Sequence, residues 1–171
     1  RPDVQAGLGL LQQWTERNQA GLSESEFDAI RSDYTRLFIG PGKVLAPPWE
    51  SVYFNDSRVI FDERTLQVRD TYRRFGLEPV RVHQEPDDHV GLEMAFLAHL
   101  AGEALKALEA GDEAELQRLL AAQKEFASQH LFSWFGSWYK LVEEKARSDF
   151  YRGLALLSKG VLQEVSEILG L

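Results

Sequence analysis

Apolar residues in this chain recur at steps of three and four, in segment after segment, with no convincing run of strand-like alternation. That periodicity fits helices packed on one another and disfavours a sheet. Val4, Leu8, Leu11 and Trp14 share one face of a helix over residues 3–19. Gly21 ends it. Ser23-Glu24-Ser25-Glu26 reads as a capping box, with Ser23 accepting from the backbone and Glu26 reaching back. Phe27, Ile30, Tyr34 and Leu37 then form the stripe of a second helix. Val68, Tyr72 and Phe75 mark a third, from Glu63 to near Gly76. From Asp88 to about Ala110 the chain is apolar on most sides, which predicts a helix in the middle of a bundle, with Asp87 or Asp88 as its N-cap. Gly111 stops that helix, and Asp112 with Glu115 opens the next, carrying Leu116, Leu119, Leu120 and Phe126. Leu131, Trp134, Phe135, Trp138 and Val142 make another, and Phe150, Leu154, Leu157, Val161, Val165 and Ile168 the last.

No hairpin signal and no fixed-period repeat interrupts this series. The expected fold is all-α, a single domain over 1–171 built as a helical bundle of about seven helices. Two stretches break the pattern. Gly40 to Asp62 contains Gly40-Pro41-Gly42 and Pro47-Pro48. A connection this long inside a compact domain is usually functional or disordered. Its aromatics, Trp49, Tyr53, Phe54 and Phe61, predict a long proline/aromatic loop packed on the body. Residues 77–86, with Pro79 and Pro86, form a second loop.

The 171 residues, 44% of them apolar, suffice for a sizeable core. The chain has no cysteine, which removes disulfides, thiolate metal sites and cysteine nucleophiles and fits a reducing compartment. No run of eighteen apolar residues occurs, so no membrane span is expected. The chain begins at Arg1 with neither an initiator Met nor an apolar signal core, and residues upstream are expected to be missing. Of the 27 acids, nine fall between Glu85 and Glu115, opposed there by Lys106 alone. The remainder is balanced. A local acidic surface repels nucleic acid and favours cationic partners, although a solvated helical face has the same composition.

The chemistry-bearing residues weigh against catalysis. His89 with Glu93 and His99 with Glu103 are each four apart, but the two pairs point roughly 80° apart around an ideal helix and make no common metal site. The plainer reading is an i,i+4 hydrogen bond within each pair. Glu85, Asp87, Asp88 and His89 crowd a loop-to-helix junction in a manner compatible with proton transfer, yet no partnered nucleophile accompanies them. Gly40-Pro41-Gly42-Lys43 lacks P-loop spacing and reads as a helix end with Gly40 left-handed. Arg73-Arg74 is internal and has no apolar core after it. Binding remains: carboxylates take guanidinium groups, and aromatic or aliphatic grooves take apolar peptide helices.

Two segments carry a resemblance. Tyr34-Thr35-Arg36-Leu37-Phe38-Ile39-Gly40-Pro41-Gly42, running into Ala46-Pro47-Pro48-Trp49-Glu50-Ser51-Val52-Tyr53, and then Glu85-Pro86-Asp87-Asp88-His89-Val90-Gly91-Leu92-Glu93, resemble the signature regions of the TorD/DmsD/NarJ-like redox-enzyme maturation chaperones. His130-Leu131 with Trp134, and Phe150-Tyr151-Arg152-Gly153-Leu154-Ala155, agree more loosely. The resemblance implies an all-α, cytoplasmic, non-enzymatic chaperone; nothing in the sequence itself calls for a cofactor. Its partners would be the twin-arginine leader and catalytic subunit of a molybdenum oxidoreductase, whose export waits on cofactor loading. By matching position it implies a peptide-binding region of Pro47, Pro48, Trp49, Tyr53, Glu85, Pro86, Asp87, Asp88 and His89. Glu85 and Asp88 would pair with leader arginines, Trp49 would stack or pack, and His89 would orient a carboxylate. It also implies a further helix ahead of Asp3, whose loss would favour exchange of elements in a homodimer. Two other readings stay open: an assembly factor acting on the mature subunit, and a small hydrolase using the Asp/His turn.

Overall fold

The computed structural model describes residues 1–55, 61–78 and 85–171. Among them are seven α-helices: α1 (Pro2–Arg17), α2 (Glu24–Tyr34), α3 (Glu63–Arg74), α4 (Val90–Ala110), α5 (Glu113–Phe126), α6 (Phe132–Lys145) and α7 (Asp149–Leu169). Single π-helical turns follow α2 at Thr35–Ile39 and α5 at Ala127–Leu131, and a short 3₁₀ turn covers Glu50–Tyr53. The all-α expectation holds. The one extended pairing among the described residues is an isolated antiparallel bridge between Trp49 and His89. The chain forms two compact units, residues 1–47 with 136–167 and residues 48–135 with 168–171.

In the first unit α1 lies against α7 at a close backbone crossing. A Cβ added to Gly7 would sit 2.5 Å from the Leu157 amide nitrogen, and one on Gly160 2.5 Å from Val4 Cγ2. Any larger residue at either position must push the helices apart. Lys159 Nζ pairs with Asp3 at 2.9 Å and Arg17 with Asp149 at 2.7 Å. Leu37, Phe38, Ala46, Val142, Ala146 and Ala155 form the core, with Trp138, Leu141 and Tyr151 packed on it. Buried Asp33 organises the α6–α7 corner: its Oδ2 accepts from the Arg147 and Ser148 amides, both at 2.9 Å, and its Oδ1 from Arg36 at 2.7 Å. Burial pushes this carboxyl up, but the Ser148 amide, Arg36, the Arg147 amide and the Ser148 hydroxyl outweigh it and hold the pKa below the usual carboxylate value.

Three expectations are corrected here. Ser23 Oγ does cap α2, accepting from the Glu26 amide at 3.2 Å, but Glu26 takes the Trp14 indole N–H at 2.7 Å. Phe27 and Tyr34 are exposed. The π turn after α2 adds a residue to the helical repeat, so the buried row becomes Leu37 and Phe38. Gly40 has φ +104° and ψ −174°, a region open to glycine but distinct from the left-handed helical cap expected.

The second unit has an aromatic centre. Tyr72 of α3, Phe96 of α4 and Phe126 of α5 stack with ring centroids 4.7–5.9 Å apart, in tilted and edge-on geometries typical of aromatic clusters. Gly111 ends α4 with φ +72° and ψ +19°, the left-handed cap that glycine adopts without strain. Asp112 caps α5 through the Glu115 amide at 3.0 Å. The N-cap of α4 is His89, whose Nδ1 accepts from the Gly91 amide at 3.0 Å, and the helix begins at Val90. Asp87 and Asp88 have other partners, described below. The expected His89–Glu93 hydrogen bond is replaced by this cap. The later half of α4 is less buried than its composition predicts, since Leu105 and Leu108 are more than half exposed. Phe54 and Phe61 of the long loop are also exposed, Phe54 lying 3.7 Å beneath the Arg64 guanidinium. Residues 56–60 and 79–84, including Pro79, lie outside the described residues.

Candidate functional site

The second unit places most of the predicted binding residues around one junction. Two backbone hydrogen bonds join the long loop to the turn before α4: the Glu50 amide donates to the Asp88 carbonyl at 3.0 Å, and the Val90 amide to the Pro48 carbonyl at 2.8 Å. Between them lies the Trp49–His89 bridge. The pair of prolines explains why the pairing stays this short, since neither can donate to a ladder. Beside the bridge, the Trp49 indole N–H donates to Glu85 Oε1 at 2.6 Å. The Trp49 and His89 rings meet edge to face with centroids 6.2 Å apart.

The three acids of the turn have separate fates. Glu85 is exposed; Asp87 and Asp88 are 2% and 0% accessible. Asp88 Oδ2 accepts from the Ser51 amide at 2.8 Å and Oδ1 from the Thr65 hydroxyl at 2.9 Å. Asp87 Oδ2 takes both Nε and an Nη of Arg69, at 2.9 and 2.6 Å, while the Tyr72 hydroxyl donates to the Asp87 carbonyl at 3.1 Å. A single face of α3, made of Thr65, Arg69 and Tyr72, therefore holds the turn in place. Pro47, Pro48 and Pro86 are buried, Tyr53 is half-buried with its ring 5.2 Å from that of Trp134, and Trp49 and His89 are half-buried.

More buried charge lies beneath. Glu50, fully buried, accepts from Arg64 at 2.6 Å and shares a 2.9 Å hydrogen bond with His130 Nδ1. Glu93, also fully buried, accepts the Trp134 indole N–H at 3.1 Å on one oxygen, and its other oxygen has no partner among the described residues. Burial, and then the carboxylates of Glu50 and Asp88, push the Glu93 carboxyl well above the ordinary range; the Trp134 bond and Arg64 act against this. Burial lowers the His89 pKa despite nearby Glu85 and Asp88, so the ring is neutral at pH 7. With Nδ1 accepting, its proton sits on Nε2.

Of the nine predicted residues, then, Trp49, Glu85 and His89 meet at an accessible edge; Asp87 and Asp88 fix the turn, Pro48 and Pro86 supply backbone acceptors to it, Tyr53 packs on Trp134, and Pro47 falls in the first unit. The sequence reading assigned no place in the site to the bracing partners Glu50, Ser51, Arg64, Thr65, Arg69, Glu93, His130 and Trp134. A signal for Thr65 and Arg69 existed: both share the helical face of Val68 and Tyr72, where a polar residue implies a buried partner. A groove of about 550 Å³ in the same unit, lined by Gln67, Thr71, Arg74, Phe75, Arg118 and Phe126 among others, contains none of the nine. Among the described residues no group of three or more His, Cys, Asp or Glu side chains gathers in a metal-holding arrangement. No helix there is long and apolar enough to cross a membrane.

An all-α body whose proline–tryptophan loop is fastened to an acidic turn has the architecture that the two motif regions imply. The family model described as "Nitrate reductase delta subunit" matches residues 1–140, and the chain belongs to that family, in which TorD, DmsD and NarJ-like chaperones fall. It is 31% identical over 137 residues to the "Tat proofreading chaperone DmsD" of Salmonella typhi, covering 80% of this chain and 60% of that protein. The "Probable Tat proofreading chaperone DmsD" of Haemophilus influenzae is 31% identical over 135 residues, 79% of this chain and 59% of its own length. The "Chaperone protein TorD" of Aliivibrio salmonicida is 26% identical over 137 residues, 80% of this chain and 62% of its own. The chain thus spans about 60% of the length of these curated relatives.

Proposed function

We propose that this chain is a cytoplasmic, non-catalytic chaperone that binds the twin-arginine leader of a molybdopterin oxidoreductase subunit and delays its export until the cofactor is in place. The observation that carries this reading is the pairing of an exposed carboxylate, Glu85, with the half-buried indole of Trp49. Guanidinium groups are bound by carboxylates through paired charge-assisted hydrogen bonds and by aromatic faces through cation–π attraction. The names of the relatives, Tat proofreading chaperones, point the same way. Within this reading Glu85 contacts a leader arginine, Trp49 packs against the peptide, and His89 offers its Nε2 proton to a peptide acceptor. Asp87 and Asp88, with Pro48 and Pro86, act by holding the contact residues where they are.

Calorimetric titration with a synthetic leader carrying two consecutive arginines and an apolar segment tests this, run beside the same peptide with both arginines replaced by glutamine. The expected outcome is saturable binding that weakens with the altered peptide. Equal binding of the two would remove arginine recognition from the reading, and no binding of either by folded protein would remove the leader.

A further inference from the structure

We propose that Trp49 is a latch on Glu85: its indole N–H occupies the carboxylate in the unliganded chain and is displaced by an arriving guanidinium. The inference rests on the leader-binding reading and concerns how that site opens. Three observations lead to it.

The first is the contact itself. At 2.6 Å the indole–carboxylate hydrogen bond is short and charge-assisted, and it closes over the one acid of the turn that is exposed. The second is the rigidity of what carries the two side chains. The backbone of residues 48–50 is tied to that of residues 88–90 by two hydrogen bonds, and Asp87 and Asp88 are fastened to Arg69, Thr65 and Ser51. The turn therefore cannot follow a ligand outward, and opening reduces to rotation of the Trp49 and Glu85 side chains. The third is the chemistry of the exchange. The indole N–H is a single neutral donor, whereas a guanidinium is charged and offers donors in a planar fork that matches both carboxylate oxygens. Replacing one by the other strengthens the interaction of Glu85, and the released indole gains a cation to stack on. An ammonium, a compact and strongly hydrated point charge without the fork, makes a poorer replacement, so the latch also favours arginine over lysine.

The test follows the indole N–H directly. In a two-dimensional ¹H–¹⁵N spectrum of the whole chain, the Trp49 Nε1–H resonance is identified by its absence in Trp49→Phe. Glu85→Ala, a change at an exposed position, gives the position of the released indole with no peptide present. Saturation of the unaltered chain with the two-arginine peptide is expected to carry the resonance to or beyond that released position, and saturation with the glutamine peptide to leave it in place. A resonance that stays put while calorimetry shows the two-arginine peptide bound overturns the latch and leaves leader recognition standing. Absence of any calorimetric binding overturns both.

Discussion

Replacing Asp88 by alanine separates holding a turn from holding a ligand. Its carboxylate is fully buried, with one oxygen on the Ser51 amide at 2.8 Å and the other on the Thr65 hydroxyl at 2.9 Å. Removing it leaves two buried donors without partners, each costing about 1–3 kcal/mol. The variant is expected to lose about 2–5 kcal/mol of folding stability, which for a chain of this size lowers Tm by roughly 5–15 °C. Thr65→Val removes one donor beforehand, so the double variant should lose about 1–2 kcal/mol less than the sum of the two single changes. Glu85→Ala serves as the contrast. Its side chain is exposed and its one described partner, the Trp49 indole, is only half-buried, so stability should fall by about 0.5–1.5 kcal/mol, while leader affinity falls by about 1–2 kcal/mol, roughly five- to thirtyfold. Urea denaturation gives the first quantity and calorimetry, at a temperature where each variant is folded, the second. An Asp88→Ala protein as stable as the parent but unable to bind the peptide would refute the assignment of Asp88 to the fold and return it to the contact surface.

Three further outcomes follow from the same geometry. Arg69→Met strands the buried Asp87 carboxylate, and denaturation should report a loss of about 3–5 kcal/mol that the double change Arg69→Met with Asp87→Leu largely recovers. Gly7→Ala places a methyl 2.5 Å from the Leu157 backbone, forcing α1 and α7 apart; a loss of about 1–3 kcal/mol is expected, against little change for Gly9→Ala, where the space is open. Glu93 has a folded pKa raised above its ordinary value of 4.5, so the fold favours its protonated form. Its contribution is therefore fully present below pH 4.5 and declines as pH rises through the window up to the folded pKa. Glu93→Gln abolishes that slope, and the stability of the variant relative to the parent should rise with pH above 4.5; a difference flat in pH would show Glu93 ionised in the fold.

The apolar rows predicted the helices well because helix burial and helix periodicity are the same fact seen from two sides. The exceptions have local causes. The π turn at Thr35–Ile39, a single-residue insertion that no propensity announces, breaks the row between Tyr34 and Leu37, so Leu37 and Phe38 are buried and Tyr34 is exposed; nothing in the structure explains the exposure of Phe27. His89 took the cap of α4 because the two aspartates better placed by type were already committed to α3 and the long loop. Capping preference describes what a side chain does when nothing else claims it. Here partners 18 and 23 residues away in sequence made the stronger claim.

The same cause accounts for what was legible in the candidate site. Resemblance proposed its segments, and the acid cluster suggested a cationic partner, but neither could apportion roles among neighbouring carboxylates. Glu85, Asp87 and Asp88 differ by at most three positions and one methylene, yet one faces solvent and two are interior. What sorts them is the backbone pairing of residues 48–50 with 88–90, which turns Asp88 inward onto Ser51 and Thr65. Once that carboxylate is buried it must be satisfied, and α3 supplies the donors at one-turn intervals, Thr65 for Asp88 and Arg69 for Asp87. A charge count over this stretch therefore overstates its outward field, since Asp87, Asp88 and Glu93 all lie inside. The surface that remains acidic at the turn is Glu85, so under the proposed reading a single exposed substitution there, and not removal of the cluster, is the change that tests arginine recognition.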